Sequence, residues 1–311
     1  MIPPPGPHGG DSLRLAAALG VDPGSILDLS VSLNPAAPDV AEIVAKHLEA
    51  LGRYPDPAPA TAALADALGV DPDHVVLTNG GSEAIALVAG EIGGSVEEPD
   101  FSLYPRGDGP RWRSDPHNPS GRLAVANDKA GVWDEAFYAL ATGRWTEGSR
   151  PLVVGSLTKV FACPGLRAGY VVAPDGGFAS RLRARQPAWS VNGLVAAAVP
   201  DLLERADLPA WCAAVTSART DLVAVLRRHG LHAEPSDAPW VLVRAPGLRA
   251  RLAPHGVLVR DCASFGLPDH TRIGVPQAGG LHRLDAALST VYSAPLGLTD
   301  PSSANQTGGW R

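Results

Sequence analysis

Lysine is scarce in this chain. Of 26 basic residues in 311, only Lys46, Lys129 and Lys159 are lysines. Wherever a positive charge alone was needed, arginine has mostly supplied it. Arginine stays protonated in a protein, whereas lysine can work as a neutral primary amine. Lys46 and Lys129 lie in polar stretches and read as surface charges. Cysteine is also sparse. Cys163, Cys212 and Cys262 are far apart and show no CxxC or Cys/His metal spacing. That pattern argues against a structural metal site and fits a reducing cytoplasm. Runs of basic residues are short and the net charge is −6, which argues against nucleic acid or an anionic membrane as partner. No apolar run reaches membrane-spanning length. The first residues, Met1-Ile-Pro-Pro-Pro-Gly-Pro7, lack the basic and apolar regions of a signal peptide. The expectation is a cytoplasmic protein without a membrane anchor.

What is present is a soluble composition, 45% hydrophobic and 19% charged, with length enough for two domains. Asp11 and Ser12 can cap a helix running to about Gly20. Ile26–Ser32 alternates like a strand and ends at Asn34-Pro35. Ala41–Leu51 and Thr61–Leu68 look helical. Val75–Thr78 is a short buried strand leading into Asn79-Gly-Gly-Ser-Glu83 and an alanine-rich helix. Gly131–Glu135, Pro151–Gly155 and Ala168–Ala173 read as further strands. From Asn192 to His229 the pattern is helical, with breaks expected near Pro200 and Pro209. Short strands then follow at Leu231–Glu234, Trp240–Arg244, Val257–Arg260 and Arg272–Val275. Helices are expected near Leu248–Ala253 and from Leu281. Arg106–Arg113 looks like loop. The expected division is an N-terminal segment, 1–39, a large domain, 40–215, a small domain, 216–292, and a flexible tail, 293–311.

Several residues carry chemistry in this pattern. A strand, a glycine turn and a helix start at Gly81-Ser82 form an anion-binding geometry, because N–H groups at a helix N-terminus point at the ligand. Taken alone, an ordinary strand-to-helix turn explains it as well. Asp134 ends an apolar strand, where a carboxylate needs a partner. Ligands in open α/β sheets bind beyond the strand ends, so Asp134 and the Ser156–Lys159 loop can face one crevice. A neutral amine suits imine formation with an aldehyde, above all with pyridoxal phosphate.

The segment Ser156-Leu-Thr-Lys159, followed by Gly165-Leu-Arg-Ala-Gly169, resembles the cofactor-lysine motif of fold type I pyridoxal-phosphate aminotransferases. Tyr54-Pro-Asp-Pro57, Gly81-Ser-Glu83, Glu98-Pro-Asp-Phe-Ser-Leu-Tyr104, Asn118-Pro-Ser-Gly121 and Trp133-Asp-Glu-Ala-Phe137 resemble other segments of that family, in the same order. The resemblance implies an α/β enzyme whose large domain has a mostly parallel central sheet, with a smaller α/β C-terminal domain. It implies pyridoxal 5′-phosphate as cofactor. Lys159 would form the imine and then shuttle protons. Asp134 would pair with the ring nitrogen, Asn118 would bond the ring hydroxyl oxygen, and Tyr104 would stack on the ring. Gly81, Ser82, Ser156, Thr158 and Arg167 would hold the phosphate. Tyr54 would reach the phosphate of a neighbouring subunit, which implies a homodimer with shared sites.

Within the family, the chain resembles threonine-phosphate decarboxylases and histidinol-phosphate aminotransferases. His8-Gly-Gly-Asp11, Leu27-Asp-Leu-Ser-Val-Ser-Leu-Asn-Pro35, Gln186-Pro-Ala-Trp-Ser-Val-Asn192 and Val259-Arg-Asp-Cys-Ala-Ser-Phe-Gly-Leu267 lean to the decarboxylase, as does Phe137 where the aminotransferase usually has tyrosine. Both substrates carry a phosphate, so Arg260 and Arg272 are the expected anion binders, with His8, Ser32 and Asn34 completing the substrate pocket. Which arginine takes which anion is open. A transaminase reading and a noncatalytic cofactor-binding protein are the alternatives. Between Tyr104 and Asn118 the family normally carries tens of residues more, including a strand and a helix.

Overall fold

The computed structural model describes residues 2–293. Its strands are β1 (Leu27–Asp28), β2 (Val75–Asn79), β3 (Trp112–Ser114), β4 (Val132–Asp134), β5 (Val153–Ser156), β6 (Ala168–Val172), β7 (Trp240–Arg244), β8 (Val257–Leu258), β9 (Arg260–Asp261) and β10 (His270–Gly274). Five of them form the central sheet in the order β2-β6-β5-β4-β3. β3, β4 and β5 pair in parallel, while β6 runs antiparallel to both β5 and β2. Four of the five strands therefore share one direction. Their shared end carries Asp134 on β4 and Ser156 on β5, where ligands of α/β sheets bind.

The sheet is apolar on both faces, and the alternation of side chains explains how. Val75, Leu77, Ala168 and Tyr170 face one core with Leu64, Leu140, Val195, Val199 and Leu202. Val76, Val132, Val154 and Val171 face the other, beneath the helices Gly81–Ile92 and Gly176–Arg185. A second half is built on the antiparallel sheet β7-β10-β9. Its core contains Leu222, Leu226, Val241, Val243, Ile273 and Leu288. The long helix Leu208–Arg228 serves both halves. Trp211 and Val215 pack into the first core, and Leu222, Val225 and Leu226 into the second. β1 pairs in parallel with β8 and attaches the N-terminal segment to the second half.

Several local expectations need correction. The strand expected over Ile26–Ser32 shrinks to Leu27–Asp28, because its partner offers only Val257–Leu258 before the chain turns to pair with β10, and Ser32 further on adopts a left-handed backbone (φ +51°). The helix expected over Ala41–Leu51 ends at Ala45 and resumes as a 3₁₀ turn over Leu48–Gly52. Between them, the His47 ring makes a 3.0 Å hydrogen bond to Asp201. Pro200 does not break its helix, which runs from Gly193 to Glu204. The break falls at 205–207, and Pro209 sits in the first turn of the next helix, where its missing N–H costs nothing. Leu231–Glu234 forms only an isolated bridge, Ala233 to Val243. Val257–Arg260 divides, because β8 pairs with β1 while β9 pairs with β10. The expected flexible tail lies, from residue 294 onward, outside the described residues.

Candidate active site

The site opens where β2 enters its helix. Gly80 has φ +78°, and a Cβ there would stand 2.4 Å from Arg167 Nη2. Gly169 is equally constrained, since its Cβ would lie 2.4 Å from the Gly80 carbonyl carbon. The glycines let two backbones and a guanidinium close around one point. Gly80 offers no side chain to cap the helix, so the first N–H groups remain available to an anion. Ser156, Thr158 and Arg167 line the same end of the cavity. Thr158 donates its hydroxyl to the Ala168 carbonyl at 3.2 Å, which leaves the oxygen free to accept. The guanidinium of Arg167 donates to the Pro164 carbonyl.

Lys159 follows within the short helix Leu157–Val160. Burial, then the charges of Arg272 and Arg167, bring its amine down from 10.5 to about 8. Asp134 is buried at the end of β4. Desolvation pushes its carboxyl above the usual range, while the Ala136 N–H, the Tyr104 hydroxyl and the Lys159 charge oppose that shift. Oδ1 accepts from Ala136 N at 2.9 Å, and Oδ2 accepts from the Tyr104 hydroxyl at 2.7 Å. Tyr104 lines the cavity, but its ring lies against Trp112 at 5.5 Å. The hydrogen bond to Asp134 is a contact that the stacking expectation did not include. Behind β4, Arg150 lies 4.0 Å from the Trp133 ring and donates to Glu135 at 2.6 Å and to Asp115. This buried pairing braces the strand end that carries Asp134 and the loop that carries Asn118.

The opposite wall comes from the second half. Arg272 is buried on β10, donates to Asn118 Oδ1, and makes a long contact (3.4 Å) to the Ser30 carbonyl. Its Nε is buried with no hydrogen-bond partner among the described residues. Arg260 on β9 also lines the cavity, but its donors go to the carbonyls of Gly6 (3.3 Å) and Pro7 (2.5 Å) and to Ser264 Oγ (2.7 Å). Those bonds hold the N-terminal segment and bring His8 to the cavity. Burial and the Arg260 charge keep the His8 ring below its ordinary pKa.

Most of the expected residues converge on one cavity of about 290 Å³. Three do not. The Ser32 hydroxyl is buried without a partner, and Ser30 takes the place at the cavity. The left-handed turn at Ser32 accounts for the exchange. Asn34 spends its side chain on the protein, donating to the Val160 carbonyl at 2.8 Å and accepting from Ala36 N at 2.9 Å. Tyr54 is 75% exposed, stacked on Trp189 at 4.3 Å, and outside the cavity of its own chain. Sequence reasoning missed Ser114, Phe101 and Phe265 in the lining. It also missed Trp240, which lies under Arg272. Phe265 sat within the quoted Val259–Leu267 segment. Trp240 had no signal beyond being a tryptophan at a strand start. Among the described residues, no group of His, Cys, Asp or Glu is placed to hold a metal, and no helix is long and apolar enough to cross a membrane.

A half-buried amine facing the cavity, a buried carboxylate and a glycine-lined anion cradle at the ends of one sheet define an α/β enzyme of the pyridoxal-phosphate type. The sequence model described as "Aminotransferase class I and II" matches residues 116–289, and the chain belongs to that family. Its cofactor is pyridoxal 5′-phosphate. A histidinol-phosphate aminotransferase of Methylococcus capsulatus is 30% identical, over 86% of this chain and 90% of the relative. A threonine-phosphate decarboxylase of Salmonella typhimurium is 28% identical, over 92% and 96%. Among solved structures, the histidinol-phosphate aminotransferase of Sinorhizobium meliloti in complex with pyridoxal-5′-phosphate has a TM-score of 0.79 at 18% identity, over 94% of this chain and 95% of that one. The L-threonine-O-3-phosphate decarboxylase of Porphyromonas gingivalis has a TM-score of 0.73 at 23% identity, over 86% and 100%. These structural likenesses bear on the fold, which is fold type I.

The cavity residues fit the cofactor. A neutral amine suits its aldehyde, a buried carboxylate its ring nitrogen, and an uncapped helix with Arg167 its phosphate.

Proposed function

We propose that this enzyme decarboxylates L-threonine O-3-phosphate to (R)-1-aminopropan-2-yl phosphate, a step of cobalamin biosynthesis. When bound, the cofactor supplies an aldehyde for the Lys159 amine and a ring that accepts the electron pair of a bond broken at the substrate Cα. Asp134 would keep the ring nitrogen protonated, Asn118 would bond the ring hydroxyl oxygen, and the Gly81–Ser82 N–H groups with Ser156, Thr158 and Arg167 would bind the phosphate. Lys159 Nζ then returns a proton to Cα where the carboxyl has left.

The observation that carries this reading is the N-terminal segment. His8 stands at the cavity beside Arg260, whose guanidinium holds the Gly6 and Pro7 carbonyls. We assign the substrate phosphate to His8 and Arg260, and the carboxylate to Arg272, whose guanidinium, among the described residues, bonds only Asn118 Oδ1 and, at 3.4 Å, the Ser30 carbonyl. Phe137 supports the choice, because it offers no hydroxyl to the ring oxygen and packs on Trp240 instead. The long matches to both relatives keep a second reading in view, transamination of histidinol phosphate or another amino acid.

The same reading includes a large domain, residues 40–215, joined to a small domain, residues 216–292, a homodimer in which the exposed Tyr54 enters the neighbouring subunit's site, and a cytoplasmic location. The deciding experiment supplies the holoenzyme with threonine phosphate alone, or with histidinol phosphate and 2-oxoglutarate. Carbon dioxide from the first mixture supports decarboxylation; glutamate from the second overturns it.

A further inference from the structure

Trp240 is fully buried at the start of β7, yet it touches both walls of the site. In the antiparallel pair it lies opposite Gly274 and diagonal to Arg272. A Cβ at Gly274 would stand 3.0 Å from the Leu29 carbonyl oxygen and 3.3 Å from Ser32 N, so the glycine admits the N-terminal segment, while the diagonal register puts the indole on the face where Arg272 emerges. The guanidinium carbon of Arg272 stands 4.8 Å from the indole centroid. Phe265 offers a second ring 5.8 Å from the same carbon. The indole and the Phe137 ring meet edge to face with centroids 4.7 Å apart, and Phe137 in turn stands 5.9 Å from Lys159 Nζ.

Trp240 is also bonded to the loop that carries Asn118. Its Nε1–H donates to the Pro119 carbonyl at 2.8 Å. Gly121, in the same loop, has φ +81°, and a Cβ there would stand 3.2 Å from that nitrogen. The Gly121 carbonyl accepts from the Asp237 and Ala238 N–H groups at 2.8 and 3.1 Å. One side chain therefore fixes Arg272, through its ring face, and the Asn118 loop, through its N–H. Arg272 and Asn118 also bond each other.

We propose that Trp240 is the positioning residue that sets the orientation of the substrate carboxylate, and hence which bond at Cα stands over the cofactor. This rests on the reading above, in which Arg272 takes the carboxylate. A guanidinium held against an indole keeps one plane, and its free N–H groups then fix the direction of a bidentate carboxylate. Without the indole, Arg272 can turn about its long side chain. The carboxylate turns with it, and Cα–H cleavage gains on Cα–carboxyl cleavage.

The test compares two ligands that differ only in the carboxylate, threonine O-phosphate and 1-aminopropan-2-yl phosphate. Binding is measured by calorimetry on borohydride-reduced holoenzyme, which does not turn over. Trp240→Leu is expected to weaken threonine phosphate by about 10- to 30-fold, from the lost cation–π contact, and to leave the carboxylate-free ligand within about twofold. Trp240→Phe keeps an aromatic face but loses the indole N–H and part of the ring area, so an intermediate effect of about threefold is expected; it remains informative if Trp240→Leu does not fold. On unreduced enzyme in D2O, where every decarboxylation itself leaves one deuteron on Cα of the product, the ratio of carbon dioxide released to deuterium found at Cα of the recovered threonine phosphate should fall about fivefold or more in Trp240→Leu. Equal weakening of both ligands, or an unchanged ratio with both rates reduced together, makes Trp240 ordinary packing and overturns the proposal. Arg272→Gln separates the two levels. If that variant does not discriminate between the ligands, the Arg272 reading fails, whatever Trp240 does.

Discussion

The two walls of the cavity are built differently. The wall assigned to the cofactor consists of strand ends and the turns that follow them. Asp134 ends β4, Ser156 ends β5, and Lys159 lies three residues further on. Each functional group is fixed by the element that carries it. The wall assigned to the substrate is assembled from β9, β10 and the N-terminal segment, and its groups are partly spent on holding that assembly together. Arg260 gives its donors to Gly6, Pro7 and Ser264, and Ser30 Oγ accepts from Gly10 N at 2.9 Å. The contrast teaches that the chemistry proposed here is placed on rigid elements, while the proposed selectivity is placed on a segment that must first be tied down.

The largest expected effect is on the cofactor wall. Lys159→Ala should lose the borohydride-stable bond to the cofactor and drop turnover by about 10³-fold or more, measured by mass spectrometry and steady-state kinetics. Retention of the covalent adduct would dissolve the contrast, because another amine would have to reach the aldehyde. Next comes a pair within the substrate wall. Arg272→Gln removes a buried charge and should cost about 3 kcal/mol in kcat/KM, or ~100-fold. Arg260→Gln should cost about tenfold, chiefly in KM for a phosphorylated substrate, with faster proteolysis of the N-terminal segment. Equal effects from the two arginines would show that neither is committed to a particular anion.

The same division explains how much was legible in the sequence. The cofactor-wall residues lie in short contiguous motifs, because a strand end and its turn are consecutive in the chain. Ser156, Thr158, Lys159 and Arg167 span twelve positions, and all line the cavity. The substrate wall is set by long-range packing. Ser32 and Ser30 have the same parity in an extended strand, and only the left-handed turn at Ser32 decides which of them reaches the cavity. Asn34 appeared among the substrate residues, yet its amide bridges 126 positions to Val160. Trp240 announces itself only through contacts with Pro119, Phe137 and Arg272. No local pattern encodes those contacts.

A smaller effect concerns the stability of the protein without cofactor. Lys159 falls from 10.5 to about 8 on folding. Between those values the unfolded chain binds the proton and the folded chain does not, so apoprotein stability rises with pH across that window. Below pH 8 the full cost is present, on the order of 3 kcal/mol. Lys159→Met should therefore stabilise the apoprotein at pH 7, and its advantage should shrink as the pH approaches 10.5. Urea unfolding at pH 7 and pH 10 checks this. A constant difference between wild type and variant would place the amine in contact with water.

The smallest expected effect on activity is at Asn34. Its amide satisfies Ala36 N and the Val160 carbonyl, and its own backbone N–H donates to the Lys159 carbonyl at 3.2 Å. Asn34→Ala leaves one buried and one part-buried backbone group without their side-chain partner, at a cost of about 1–3 kcal/mol in stability, read from urea unfolding. KM for the phosphorylated substrate should stay within about twofold of wild type. Ser30→Ala should do the reverse. Its hydroxyl links Asp28 to the Gly10 N–H at the mouth of the cavity, so its loss loosens the segment carrying His8 and raises KM at little cost to global stability. If Asn34→Ala raised KM and Ser30→Ala did not, the substrate wall would have to be redrawn around Asn34, and the turn at Ser32 would lose its role in choosing which serine faces the substrate.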